Sequence, residues 1–169
     1  MFKVNDYIVY GLTGVCQITD IAKDEISNNE TEYYVLNPIS NKNLTIKIPV
    51  GNRRVAMRPI ITKDDIAALI ESIPETDNVW VGDERQRSIS FKTALKSGKN
   101  EELIKIVRTL HLEKEAKSMA GKKLTKTDED IMNIAEKQLS EEFAVALDIS
   151  PDEVLPYILE HIPKTSDIE

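Results

Sequence analysis

Few side chains among these 169 residues could carry covalent or acid–base chemistry, and their spacing argues against it. His111 and His161 are the only histidines. Each falls on a helical pattern beside Lys or Glu, which reads as a surface histidine rather than a general base or metal ligand. Cys16 is the single cysteine and lies in an apolar strand pattern with no histidine nearby. A small buried hydrophobe is expected there rather than a nucleophile. A structural zinc site needs about four closely spaced Cys or His ligands, and these three residues are widely separated. Gly11-Leu12-Thr13-Gly14 lacks the Gly-Lys-Ser/Thr and the following helix that a phosphate-binding loop requires. Neither a cofactor nor a metal is expected, and the inventory points away from an enzyme.

The remaining candidates are binding groups. Charge is sorted along the chain: from Trp80 to Thr127 there are twelve Lys/Arg against six Asp/Glu, and from Asp128 onward two against twelve. The overall charge of −7 therefore conceals a basic central block. Lys and Arg attract phosphate and release its counterions, so nucleic acid is one candidate ligand; solvated helix faces are the plainer reading. Trp80, the only tryptophan, lies in the polar stretch Thr76–Gly82. A large apolar ring in such a place either plugs a core or meets a partner. Arg85, Arg87, Lys92 and Lys96 follow on a basic helix. Lys122, Lys123 and Lys126 make a basic loop before a helix N-terminus, where free N–H groups favour anions. Asp128, Glu129 and Asp130 compete for that role.

The elements that would position these residues fall into two groups. Residues 2–60 read as four or five short strands: Tyr7–Tyr10, a turn at Gly11–Gly14, Val15–Ile18, a turn at Ser27-Asn28-Asn29, Tyr33–Leu36, a turn at 37–42, and Leu44–Pro49. In the last, Leu44, Ile46 and Ile48 alternate with Thr45 and Lys47, so the two sets face opposite sides. This strand could form an exposed edge able to accept a strand from another protein. Together they suggest a small Tudor- or SH3-like barrel.

Beyond Thr62 the period becomes helical. Thr62–Asp65 is a capping box, Ile66, Leu69, Ile70 and Ile73 form an apolar stripe, and Pro74 stops the helix. Arg85–Ser97 ends at Gly98, Asn100 is expected to cap the next helix, and Thr127–Asp130 reads as a further capping box. Ser150-Pro151 opens a last helix that Pro156 should kink or shorten. The fold class is α+β in two domains, a β-barrel followed by an all-α bundle. The boundaries are 1–60 for the barrel, 61–82 for a helix and linker, 83–163 for the bundle and 164–169 for a tail. No stretch approaches the roughly 20 apolar residues of a membrane span. The N-terminus lacks a signal-peptide pattern, so a cytoplasmic location is expected. The chain is expected as a monomer, with a strand-paired or domain-swapped dimer as the alternative.

Several blocks in order resemble the CarD/CdnL family of bacterial transcription regulators. They are Phe2–Tyr10, Gly14-Val15 with Ile18, Tyr33–Leu36, Leu44–Val50 and Arg58, then Leu95–Gly98, Leu103–Leu110, Leu124-Thr125 with Asp128, Ala135-Glu136, Leu139 and Glu142. The same N-terminal module occurs in the transcription-repair coupling factor, whose motor has no counterpart here. The resemblance implies a Tudor-like domain that docks on the β subunit of RNA polymerase, partly by strand pairing, with Thr45, Lys47 and Pro49 at the contact. It also implies a helical domain that touches promoter DNA, largely through backbone and minor groove, at the upstream edge of the bubble. There the family stabilises the open complex, often at ribosomal RNA promoters. Trp80 is the nearest counterpart of a family tryptophan that wedges into the minor groove; from the basic block, Arg85, Arg87, Lys92, Lys96, Lys122, Lys123 and Lys126 are the expected DNA contacts beside it. In this chain Val81-Gly82-Asp83-Glu84 separates Trp80 from Arg85, whereas many relatives have an Arg pair almost directly after the tryptophan. The alternative is an adaptor that binds polymerase or another partner without touching DNA.

Overall fold

A computed structural model describes residues 1–23, 30–75 and 78–163. The chain divides into two compact units, Met1–Ile60 and Ile61–Glu169. The expected turn at Ser27-Asn28-Asn29 and the tail from Lys164 lie outside the described residues.

Unit 1 is an antiparallel sheet of β1 (Tyr7–Tyr10), β2 (Gly14–Lys23), β3 (Glu32–Pro38), β4 (Ile46–Pro49) and β5 (Met57–Pro59). Its strand order is β4-β3-β2-β1-β5. Gly14 joins β1 to β2 at φ 88° and ψ −148°, a region open essentially to glycine alone, so the tight return depends on it. The alternation that predicts strands also sorts their faces. Ile8 opposes Cys16, Ile18 opposes Leu36 and Tyr34 opposes Ile48. These six are the buried core of the unit. Cys16 is thus a core residue, as its surroundings in the sequence suggest.

The closed barrel expected from the sequence is corrected to an open sheet. Among the described residues β4 and β5 pair with β3 and β1 only, and not with each other. Both are short, and each ends in a proline, Pro49 and Pro59, which cannot donate to a closing ladder. Curvature comes instead from an irregularity between Ile18 and Asp20, where one extra residue bends β2.

Unit 2 contains α1 (Lys63–Ser72), α2 (Glu84–Ser97), α3 (Asn100–Met119), α4 (Lys126–Leu147) and α5 (Val154–His161). Local signals set most of the ends. The Asp65 N–H donates to Thr62 Oγ1 at 3.1 Å, and Gly98 closes α2 in the left-handed region at φ 66°. The segment read as a helix and linker is not a separate piece: Ile66, Ile70 and Ile73 are buried in the same core as Phe91, Leu103, Leu110, Leu139 and Phe143.

Three local expectations are corrected. Lys99, not Asn100, precedes α3; Asn100 is buried at its first position, and its Nδ2 donates to Glu142 Oε2 at 3.3 Å. The cap of α4 is Thr125, whose Oγ1 accepts the Asp128 N–H at 3.2 Å, two residues ahead of the expected Thr127. Pro156 falls in the first turn of α5 after a single 3-10 turn (Pro151–Glu153), where an absent N–H costs little, so the helix runs through it.

Candidate functional site

In unit 1 the candidate residues lie on and beside a sheet edge. The Val50 N–H donates to Glu32 O at 3.0 Å. Antiparallel ladders alternate, so Ile48 and Ile46 also turn their backbone groups toward β3, whereas Lys47 turns its N–H and C=O outward. Pro49 falls on the same outward alternation. The Lys47 side chain is exposed, as are those of Thr45 and Pro49. β4 begins only at Ile46, one residue past Thr45, and Leu44 is 43% exposed rather than part of the buried stripe. Among the described residues nothing pairs with the outward N–H and C=O of Lys47, which offers a partner this backbone and an ammonium group on one strand edge.

In unit 2 the basic residues separate into two kinds. Arg85, Lys92 and Lys96 stand at positions i, i+7 and i+11 of α2, one helical stripe, and all three are exposed. Ile89, 59% exposed, lies within that stripe. Lys122 and Lys123 are exposed in the loop before α4. Lys126 is exposed too, but its Nζ lies 3.0 Å from Asp130 Oδ1, and this bond holds its ammonium above the ordinary lysine range.

Arg87 is the exception, and its expected phosphate contact is corrected. It is 4% exposed, and its guanidinium is bidentate to Asp128: Nε to Oδ1 at 3.1 Å and Nη2 to Oδ2 at 2.7 Å. Nη1 donates to Val81 O at 3.0 Å and to Gly82 O at 3.4 Å. The sequence carries a signal for this. Arg87, Phe91, Ala94 and Leu95 are spaced i, i+4, i+7 and i+8, so Arg87 belongs to the apolar stripe of α2, nearly opposite Arg85. Its partner, 1% exposed, lies 41 residues away and cannot be read from that pattern.

Trp80 packs, half-buried, against the helical core, and the Arg87 Cζ stands 4.0 Å from its ring centroid. Lys117 Nζ lies 5.7 Å from the same ring. The flanking chain is held as well: the Val79 N–H donates to Thr109 Oγ1 at 3.1 Å and the Trp80 N–H to Asn78 Oδ1 at 2.9 Å. Of the two sequence readings, the core plug describes this packing: the half-buried ring rests on the helical core and is bracketed by Arg87 and Lys117.

The α4 N-terminus is already supplied with charge. Asp128 and Glu129 lie in its first turn, and Thr125 takes one free N–H. His111 is exposed and bonded to Glu136, and His161 Nδ1 lies 2.8 Å from Tyr157 O. An aliphatic groove of about 340 Å³ runs between α3 and α5; among the described residues Arg108 and His111 are its titratable lining. Among the described residues no cluster of three or more His, Cys, Asp or Glu could hold a metal. No helix among them is long and apolar enough to cross a membrane.

Among the described residues, unit 1 presents a sheet edge with Lys47, and unit 2 presents the α2 cations and the Trp80 ring. Residues 2–61, which span the N-terminal sheet, match the model of the CarD-like/TRCF RID domain, the RNA polymerase-interacting domain of CarD/CdnL-type proteins. That domain family is a protein-interaction rather than a catalytic one, and its partner is the polymerase β subunit. No curated protein matches the chain.

Proposed function

We propose that this protein is a non-enzymatic transcription regulator that docks on the RNA polymerase β subunit through β4. Its helical unit contacts promoter DNA at the upstream edge of the bubble and stabilises the open complex. The observation that carries the reading is the RID match over a sheet whose β4 edge is unpaired among the described residues and presents Lys47 outward. An added partner strand would complete the Lys47 N–H and C=O, and a carboxylate on that strand would meet its ammonium. Such a partner puts the site of action in the cytoplasm. Docking at one fixed place spares the helical unit from finding DNA unaided. Arg85, Lys92 and Lys96, with Lys122 and Lys123, then need only hold phosphates, while Trp80 lies against the distorted duplex. Such contacts favour opening only if they are stronger in the open state than in the closed one, which is what a ring against an unstacked step provides.

The test is a pull-down of the polymerase β lobe by the wild type and by Lys47→Glu. Lys47 is exposed, so the variant should fold normally. Reversing its charge against an acidic partner should reduce retention by about tenfold or more, since like charges placed together cost several kcal/mol. Equal retention of the two proteins would refute edge docking.

A second reading, an adaptor that binds polymerase without DNA, draws support from Arg87 being turned inward and from exposed Asp83 and Glu84 at the start of α2. Salt dependence separates the two. Three phosphate contacts from the α2 stripe imply a slope of about −2.7 in log K against log salt for fork-junction DNA, at −0.9 per contact. An adaptor gives no such dependence on Arg85, Lys92 and Lys96.

A further inference from the structure

Arg87 is placed to act on Trp80 rather than on a ligand. Four of its hydrogen bonds are internal: two to the Asp128 carboxylate, one to Val81 O and one to Gly82 O. Those two carbonyls belong to the residues directly after Trp80, and the same guanidinium stands over the indole, its Cζ 4.0 Å from the ring centroid. One side chain therefore grips both the ring and the backbone that carries it. Asp128 fixes that side chain in turn, and its own backbone N–H is tied to Thr125 Oγ1 at the start of α4. Thr109 of α3 holds the other flank through the Val79 N–H. Three helices thus converge on a four-residue segment that has no regular secondary structure of its own.

We infer that Arg87 and Asp128 are positioning residues for Trp80: they set the ring's orientation, and neither residue contacts the ligand. A guanidinium over an indole face is attracted by the ring quadrupole, most strongly where water is excluded. Its planar fork lets it stack on the ring while remaining bidentate to the carboxylate, which an ammonium cannot do. The Arg87→Lys variant keeps the charge but loses both the stack and the fork. A purely electrostatic role would survive that change, and a positioning role does not.

The direct readout needs no DNA, because Trp80 is the only tryptophan. In the free wild type, the Arg87 side-chain protons above the indole should be shifted upfield in the NMR spectrum, and the guanidinium N–H should exchange slowly. In folded Arg87→Lys and Asp128→Asn proteins, with helical circular dichroism preserved, Trp80 emission should move to the red and its quenching by acrylamide should increase. Ordinary Arg87 shifts in the wild type, or unchanged quenching in either folded variant, would overturn the inference. The wild-type spectrum decides the matter if neither variant folds. The functional arm rests on the DNA reading above. On fork-junction DNA with polymerase, Arg87→Lys should weaken binding by the same factor at every salt concentration. Arg85→Ala should flatten the salt slope by about 0.9. A slope change for Arg87→Lys equal to that for Arg85→Ala would make Arg87 a phosphate contact and overturn its positioning role. If the wild type binds no DNA, the DNA reading fails, and the free-protein measurements still judge the latch.

Discussion

Asp128→Asn changes one atom in the middle of unit 2, and the geometry around it sets the expected loss. The wild-type carboxylate accepts two charge-assisted bonds from Arg87, at 3.1 and 2.7 Å, in a site where both residues are almost wholly buried. Asparagine offers one oxygen to that fork and turns an N–H toward a donor. The guanidinium is then left buried without a counter-charge. Breaking one partner of a buried pair costs about 3–5 kcal/mol, against about 0–1 kcal/mol for an exposed pair. The Val81 and Gly82 carbonyls still share Arg87, so the lower end, about 3 kcal/mol, is expected. For a unit of this size that is a fall in Tm of about 12 °C or more. Arg87→Met should cost more, because it also frees both carbonyls and uncovers Trp80. The double variant Arg87→Met/Asp128→Leu should recover much of the loss, since well-packed apolar replacements of a buried pair are often neutral. Urea unfolding followed by Trp80 fluorescence reports unit 2 selectively. A loss below about 1 kcal/mol for Asp128→Asn would place the pair in the exposed range and refute the reasoning. A double variant no better than the worse single would do the same.

Two further predictions concern α4. Burial raises the Glu141 carboxyl above its ordinary value, while Lys137, with Nζ 4.0 Å away, pulls it down. A raised folded-state value gives stability that is present in acid and lost as pH rises through that value. Glu141→Gln should therefore be more stable than the wild type at neutral pH, and the gap should close below the ordinary glutamate value of about 4.3; thermal melts across pH check the sign. Thr125→Ala removes the oxygen that caps α4 and should cost about 1 kcal/mol, with Thr125→Ser close to wild type, as read by chemical denaturation.

The RID match ends at residue 61. The basic stripe of α2 was legible from spacing alone, because Arg85, Lys92 and Lys96 repeat at helical intervals. The role of Arg87 was half legible: its position in the apolar stripe of Phe91 and Leu95 marks it as inward-facing, yet nothing local names Asp128. The strand order puts β4 at a sheet edge, and its two faces were readable from the alternation of Leu44–Pro49. The loss of Leu44 and Thr45 from the strand was not, since pairing with β3 stops at Ile46 opposite Leu36.

Side-chain periodicity, turn residues and caps act over a few residues, so the sequence by itself determined the strand-then-helix order, the core faces, the Thr62 cap and the Gly98 stop. Tertiary structure alone decided the rest. Whether the sheet closes depends on two strand edges meeting, which three- and four-residue strands with terminal prolines do not achieve. Whether Arg87 meets phosphate or carboxylate depends on which charge lies across the core, 41 residues along the chain. A buried guanidinium requires a buried counter-charge, and only the packing of α2 against α4 supplies one, with Trp80 held beneath it.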